Sequence, residues 1–293
     1  MSTDTIVQLF IPTALATIMF AMGLGLTMAD FRRIIERPRA VAAGAVAQLV
    51  VLPLVGFATA FVFGLPTPLA VGLVLLTACP GGPSSNLYSH MAGGDTALSV
   101  TLTALSGVVT IVTIPLITNL AMVVFAGETT VVTLPVLDTI ARIFIVVGLP
   151  LAVGMVVRAK QAERAKKLEP IVKRVAVVLL SVLVVGAVAK ESSRIAGFIA
   201  TAGVPVVTMN AIGMLLGLAI ALGLKLPPRQ TVTITIEVGM QNAAMAIGIA
   251  TGLLNSTEIA IPAVIYALVA YVTCAIAGVA GHRWLKRIGA LSA

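Results

Sequence analysis

The chain has 293 residues, of which 59% are hydrophobic and 10% charged. A soluble domain carries about 25% charged residues, so the composition excludes one and describes a protein that lies in the membrane throughout. The net charge of +8 does not argue for nucleic acid, because the lysines and arginines fall between apolar runs, where they set orientation.

Long unbroken apolar runs exclude a β-barrel, which would read as short alternating segments. Aromatics are scarce at 4%, and abundant glycine, alanine and valine favour closely packed helices. The runs predict an all-α polytopic membrane protein with nine transmembrane helices, at about 6–28, 39–63, 69–91, 96–126, 131–157, 171–189, 195–223, 230–253 and 258–280. The first run has no basic region before it and is read as a retained helix rather than a signal peptide. No lipidation signal or appended soluble domain is expected. The run at 96–126 is long for one crossing, which calls for tilt or a shorter helix.

Charge tests this order. With the amino terminus outside, the inner loops and tail hold Arg32, Arg33, Arg37, Arg39, Arg158, Lys160, Arg164, Lys166, Lys167, Lys173, Arg174, Lys225, Arg229, Arg283, Lys286 and Arg287. The outer side holds Lys190 and Arg194. That bias places the carboxyl terminus inside, in a plasma or inner membrane. Matching spans one to four with six to nine about a midpoint near Thr129 gives an imperfect inverted repeat, the arrangement of many secondary transporters.

The third span carries its own break. In CPGGP, Pro80 and Pro83 remove backbone donors and clash with the preceding turn, while Gly81 and Gly82 relax the backbone. Ser84, Ser85 and Asn86 follow at the start of a half-helix, where they can cap it or offer oxygens to a hard cation. Free backbone donors there suit an anion. The alternative is a proline kink between packed helices.

Ser99, Thr103 and Ser106 share one face of the fourth span. They either join a site or bond back to the preceding turn. In the eighth span, Glu237 is the one charge in an apolar stretch from about Thr231 to Ala250. A carboxylate there costs several kcal/mol unless it faces protein, water or a cation. Gln241 and Asn242 follow it, and Gly239 permits a break between them. This cluster could bind sodium, exchange a proton, or hold a neutral acid between helices.

Other polar residues read more plainly. Gln48 within the second span is read as interhelical glue. Asp138 and Arg142, four apart, are read as an intrahelical ion pair. Asp30 and Asp95 are expected to meet solvent. RAKQAERAKKLEP is read as a basic, solvated inner loop that touches anionic lipid. Cys79 and Cys274 are expected as buried reduced thiols, and His90 and His282 are isolated, with no metal spacing.

The fragments MFAMGLGLTMADF at 19–31, AQLVVLP at 47–53, CPGGPSSN at 79–86, GGDTALSVTLTALS at 93–106 and EVGMQNAAMA at 237–246 occur in an order and spacing that resemble the bile acid:sodium symporter family. The resemblance implies sodium-coupled transport of organic anions by a single domain over 1–293. It implies a panel at approximately 1–36 and 131–189, and a core at approximately 37–128 and 190–281 with two unwound helices that cross at their breaks. It implies two sodium ions as the coupling ions. One would be held by Ser85, Asn86, Ser99, Thr103 and Glu237. The other would be held by Gln48, Glu237, Val238, Met240 and Gln241, with the valine and methionine acting through backbone oxygens. Asn242 matches a position close to the substrate.

Two departures follow from the same resemblance. The fragment at 19–31 belongs to the second span of ten-span bacterial relatives, so the first span is expected to be missing. Pro83 and Ser84 stand where the family has threonine and alanine, in GGTASN, so the substrate wall is expected to differ. The resulting expectation is symport of a small organic anion, such as a keto or hydroxy acid or pantoate. A proton-coupled transporter, a channel or uniporter, and a non-transporting membrane receptor are the rivals. No nucleophile–base pair or catalytic metal cluster supports an enzyme.

Overall fold

The computed structural model describes residues 3–126, 136–190 and 193–291. The midpoint near Thr129 and the first residues of the 131–157 span lie outside the described residues.

Among the described residues every regular element is helical. The first group is α1 (Thr3–Gly25), α2 (Met28–Glu36), α3 (Pro38–Val46), a π-turn at Ala47–Val51, and α4 (Leu52–Val62). Next come α5 (Thr67–Ala78), α6 (Pro83–Met91) and α7 (Thr96–Ala126). They are followed by α8 (Val136–Ile143), a second π-turn at Phe144–Gly148, α9 (Leu149–Lys160) and α10 (Ala162–Lys190). The last group is α11 (Ile195–Gly223), α12 (Pro228–Gly239), α13 (Ala243–Gly252) and α14 (Thr257–Arg287). Each π-turn stands just before a Leu-Pro pair, Leu52–Pro53 and Leu149–Pro150. A proline there cannot donate to the preceding turn, and the widened turn takes up the missing bond.

The expected count of nine spanning helices is corrected. Among the described residues, five helices are long and apolar enough to cross: Pro38–Val62, Thr96–Phe125, Leu137–Lys160, Ile195–Gly223 and Thr257–Arg287. A sixth arises if Phe10–Gly25 and Met28–Glu36, bent by 64°, count as one span. The discrepancy has a physical origin. The predicted third and eighth spans are each cut in two by a break, so α5 with α6 and α12 with α13 are short helices. The predicted sixth span continues a helix that opens on the charged stretch AERAKKLE.

That opening also corrects the loop expected between 158 and 170. The chain there is helical except at Gln161. Lys166 donates to Glu163 at 2.9 Å, and this bond holds the Glu163 carboxyl below its ordinary range.

Of the half-helices, α5 and α13 sit at the centre. Residues Leu69 through Ala78 of α5 and Ala244 through Ala250 of α13 are buried without interruption. Helices that are apolar all round are those enclosed on every side. α5 packs against α4, α7 and α14, and α13 against α14 and α1. On the other side α1 packs against α9 and α10. There Gly23 and Gly154 bring two backbones together: a Cβ on Gly23 would fall 2.2 Å from Leu151 O. Small residues permit such approach where lipid supplies no hydrophobic drive. Outward faces carry Leu116, Leu120, Leu215, Val272 and Ile276, all exposed. Such a surface suits hydrocarbon rather than water.

Candidate functional site

The two breaks meet each other. Gly81 and Gln241 pair as an isolated antiparallel bridge, and Asn242 N donates to Pro80 O at 2.8 Å. Pro83 falls at the start of α6, where its missing N–H leaves no helical bond unmade. The carboxyl ends of α5 and α12 and the amino ends of α6 and α13 therefore converge, which brings both signs of helix-end charge to one place.

Glu237, on the last turn of α12, is 1% exposed. Ser99 Oγ lies 2.6 Å from its Oε2 and 2.7 Å from Asn86 Oδ1. Thr103 Oγ1, one turn further along α7, lies 2.7 Å from Glu237 Oε1 and 3.4 Å from Asn86 Oδ1. Ser85 is fully buried beside them and donates to Gly82 O at 2.7 Å. Gly81 makes room for this carboxylate, since a Cβ at residue 81 would fall 2.3 Å from Glu237 Oε1.

A second polar group lies behind the first. Gln48 is presented by the first π-turn, and its Nε2 is 3.5 Å from Glu237 O and 3.4 Å from Gln241 Oε1. Gln241 Nε2 donates to Val238 O at 2.9 Å and lies 3.4 Å from Glu237 O. Gln48 Oε1 is buried with no hydrogen-bond partner. Gln241 thus does not continue the helix of Glu237; its side chain folds back onto the end of α12. Met240 lies in the break itself, with its N 3.4 Å from Glu237 O.

Sequence reasoning missed the residues that hold this break. Tyr266 OH on α14 donates to Gly239 O at 2.7 Å and accepts from Gln241 N at 2.9 Å. Asn210 Nδ2 on α11 donates to the same Gly239 O at 2.7 Å. The available signal was a lone polar side chain within an apolar run, at Asn210 and again at Tyr266. Gly239 itself serves close packing, because a Cβ would fall 2.3 Å from Met214 Cγ.

A cavity of about 450 Å³ opens beside the crossing. Its wall includes Ile18 and Ala21 of α1, Pro83 and Ser84 of α6, the segment from Met240 to Ala244, and Lys173 and Ala176 of α10. Tyr266 and Tyr271 of α14 complete it, and Ser84 Oγ lies 3.4 Å from Tyr271 OH. Asn242 caps α13 by accepting from Met245 N at 3.0 Å. Its Nδ2 is buried and has no hydrogen-bond partner.

Other expectations are revised by position. Ser106 bonds back to Leu102 O at 2.7 Å and takes no part in the cluster. Asp138 and Arg142 are exposed, and no ion pair joins them among the described residues. Asp30 is buried and caps α2 through Thr27, with Arg33 as its ion-pair partner. Asp95 accepts from Leu98 N at 3.1 Å at the start of α7 and pairs with Arg37. Both acids serve helix starts, where unpaired N–H groups favour a carboxylate. Cys79 and Cys274 are free and buried. Among the described residues no group of three His, Cys, Asp or Glu could hold a metal ion.

Crossed helix breaks around a buried carboxylate, within an all-helical polytopic membrane protein, define the discontinuous-helix class of transporter site. Residues 12–198 match the Sodium Bile acid symporter family, and the chain belongs to that family. It is 34% identical over 268 residues to the uncharacterized sodium-dependent transporter YocS of Bacillus subtilis, covering 90% of this chain and 80% of that one. It is 32% identical over 254 residues to the probable chloroplastic sodium/metabolite cotransporter BASS2 of Oryza sativa, covering 86% of this chain and 58% of that one. A P3 protein of Homo sapiens is 30% identical over 227 residues, covering 78% of this chain and 47% of that one. The chain thus spans about half the length of the longer relatives. The matched family is described as one of symporters, a class that moves solutes across membranes.

Proposed function

We propose that the protein couples movement of a small organic anion to sodium by alternating access. The observation that carries this reading is the oxygen cluster at Glu237. Ser99 has one hydroxyl proton but two acceptors within 2.7 Å, Glu237 Oε2 and Asn86 Oδ1. A cation among these oxygens relieves the surplus of acceptors. The donor set contains oxygen without thiolate or imidazole, which suits a hard ion. Among the described residues no lysine or arginine pairs with Glu237. A sodium ion there supplies the counter-charge that the apolar surroundings demand.

One ion takes oxygens from Ser85, Asn86, Ser99, Thr103 and Glu237. A second takes those of Gln48 and Gln241 with the backbone oxygens of Glu237, Val238 and Met240. The orphaned Gln48 Oε1 supports the second site. The names of the Bacillus and rice relatives, sodium-dependent transporter and sodium/metabolite cotransporter, support the choice of ion.

The solute occupies the cavity beside the crossing. Asn242 Nδ2 and the first turn of α13 offer donors to an oxygen acceptor of the solute, as in a keto or hydroxy acid such as pantoate. Pro83 lines that wall in place of a hydroxyl side chain and leaves it less polar. The panel, about 1–36 and 131–189, moves against the core, about 37–128 and 190–281, to change access. With the basic loops inside, an inward sodium gradient drives import, and the membrane potential adds about 2.3 kcal/mol per net positive charge per 100 mV.

Uptake of labelled organic acids by the purified protein in sealed vesicles tests this. The expected result is concentration of at least one keto or hydroxy acid under an inward sodium gradient. Concentration driven by a proton gradient in sodium-free buffer would overturn it, and equilibration without concentration would indicate a passive pathway.

A further inference from the structure

We infer that Lys173 provides the counter-charge for the solute's acidic group, opposite the polar contact at Asn242, and so selects organic acids that carry a second, uncharged oxygen acceptor. The inference rests on the transport reading above. Lys173 is the one charged side chain among the described residues that line the cavity. It stands on α10, away from both helix breaks, whereas Asn242 stands at the break before α13.

Local charges leave Lys173 able to take an anion. Its Nζ is 2.6 Å from Glu169 Oε1, one turn earlier on the same helix. The same carboxylate is 3.9 Å from Arg158 Nη1 on α9, and that nitrogen is buried with no hydrogen-bond partner. One carboxylate therefore faces two cations, and the group carries one positive charge in excess. An acid entering the cavity draws the flexible lysine stem toward itself, while Glu169 stays with Arg158. No charge is then left without a partner.

The opposite pole is neutral. Asn242 Nδ2 has no hydrogen-bond partner, although the residue is only 7% exposed. Ala21, Ala176 and Ala270 contribute apolar wall to the same cavity. A matching solute has a compact apolar body, a carboxylate for Lys173 and a keto or hydroxyl oxygen for Asn242. Such a solute contacts α10 and α13 at once, so its binding draws together two elements that alternating access must move.

The test compares wild type with Lys173→Gln, Lys173→Arg and Glu169→Gln. Labelled pantoate and 2-oxoisovalerate are followed by sodium-driven uptake in vesicles and, separately, by equilibrium binding to the detergent-purified protein. Lys173→Gln should weaken acid binding at least tenfold, and Lys173→Arg should hold it within about threefold. Glu169→Gln should tighten binding, because it removes the competing carboxylate; loss of a merely structural ion pair would not. Sodium-dependent thermal stabilisation should be the same in all four proteins. Equal acid binding by wild type and Lys173→Gln overturns the role of Lys173, as does binding of neither acid to wild type. Acid binding that depends on Lys173 without sodium-driven uptake leaves this inference standing and overturns the transport reading instead.

Discussion

Ser99 on α7 donates to Glu237 on α12 across 138 residues of chain, with Oγ and Oε2 2.6 Å apart. This bond and its neighbour from Thr103 orient a carboxylate that would otherwise be an isolated charge in an apolar interior. Two hydroxyls hold it in position, yet they supply no positive charge.

That arrangement predicts the behaviour of Glu237→Gln. The amide keeps an oxygen for one hydroxyl and has nearly the same volume, so the protein should still insert and fold. It removes the charge proposed to compensate sodium. Sodium-dependent thermal stabilisation should disappear and sodium-driven uptake should fall at least tenfold. Sodium coupling that survives in this variant would sink the proposed role of Glu237.

The adjacent glycines should respond differently. A Cβ at residue 81 meets Glu237 Oε1 at 2.3 Å, whereas one at residue 82 meets nothing nearer than Asn242 Cβ at 3.9 Å. Gly81→Ala should displace the carboxylate and reduce sodium stabilisation. Gly82→Ala should be tolerated, since its φ of −130° suits any residue. Sodium titrations monitored by thermal unfolding distinguish them, and equal responses would contradict the geometry.

Tyr266→Phe tests the support behind the break. It leaves Gly239 O bonded to Asn210 but strips Gln241 N of its acceptor. A buried donor without a partner costs about 1–3 kcal/mol. The unfolding midpoint should fall in sodium-free buffer, and sodium affinity should weaken because the carbonyls near the break lose their alignment. An unchanged midpoint would argue that Asn210 alone fixes this turn.

Asp95 separates a cap from an ion pair. Asp95→Asn removes the pair with Arg37, whose side chain is 46% exposed, and should cost under about 1 kcal/mol. It retains an oxygen able to cap α7. Asp95→Ala removes both and should cost about 1 kcal/mol more. Unfolding of the two variants in parallel checks the order; equal losses would place the stability in the ion pair.

Much of the site was legible in the sequence because its components are costly in a membrane. Glu237, the CPGGP break and the Ser99–Thr103 face each violate an apolar helix. The family resemblance adds Gln48, which the residues alone assign to helix packing. Tyr266 and Asn210 escaped because one polar group per span resembles ordinary interhelical bonding. The count of spanning helices failed where hydropathy is blind: an apolar run scores alike whether it is one helix or two halves meeting at a break.

The sequence by itself determined the membrane as solvent, the all-helical class, the places of the two breaks and the buried acid, because these follow from transfer cost and backbone chemistry along the chain. Only the tertiary structure decided that Gly81 meets Gln241, that Asn86 and α7 surround Glu237, and that Lys173 faces the cavity beside Asn242. Those relationships join residues far apart in sequence, and their geometry depends on how helices cross, which local propensity does not encode.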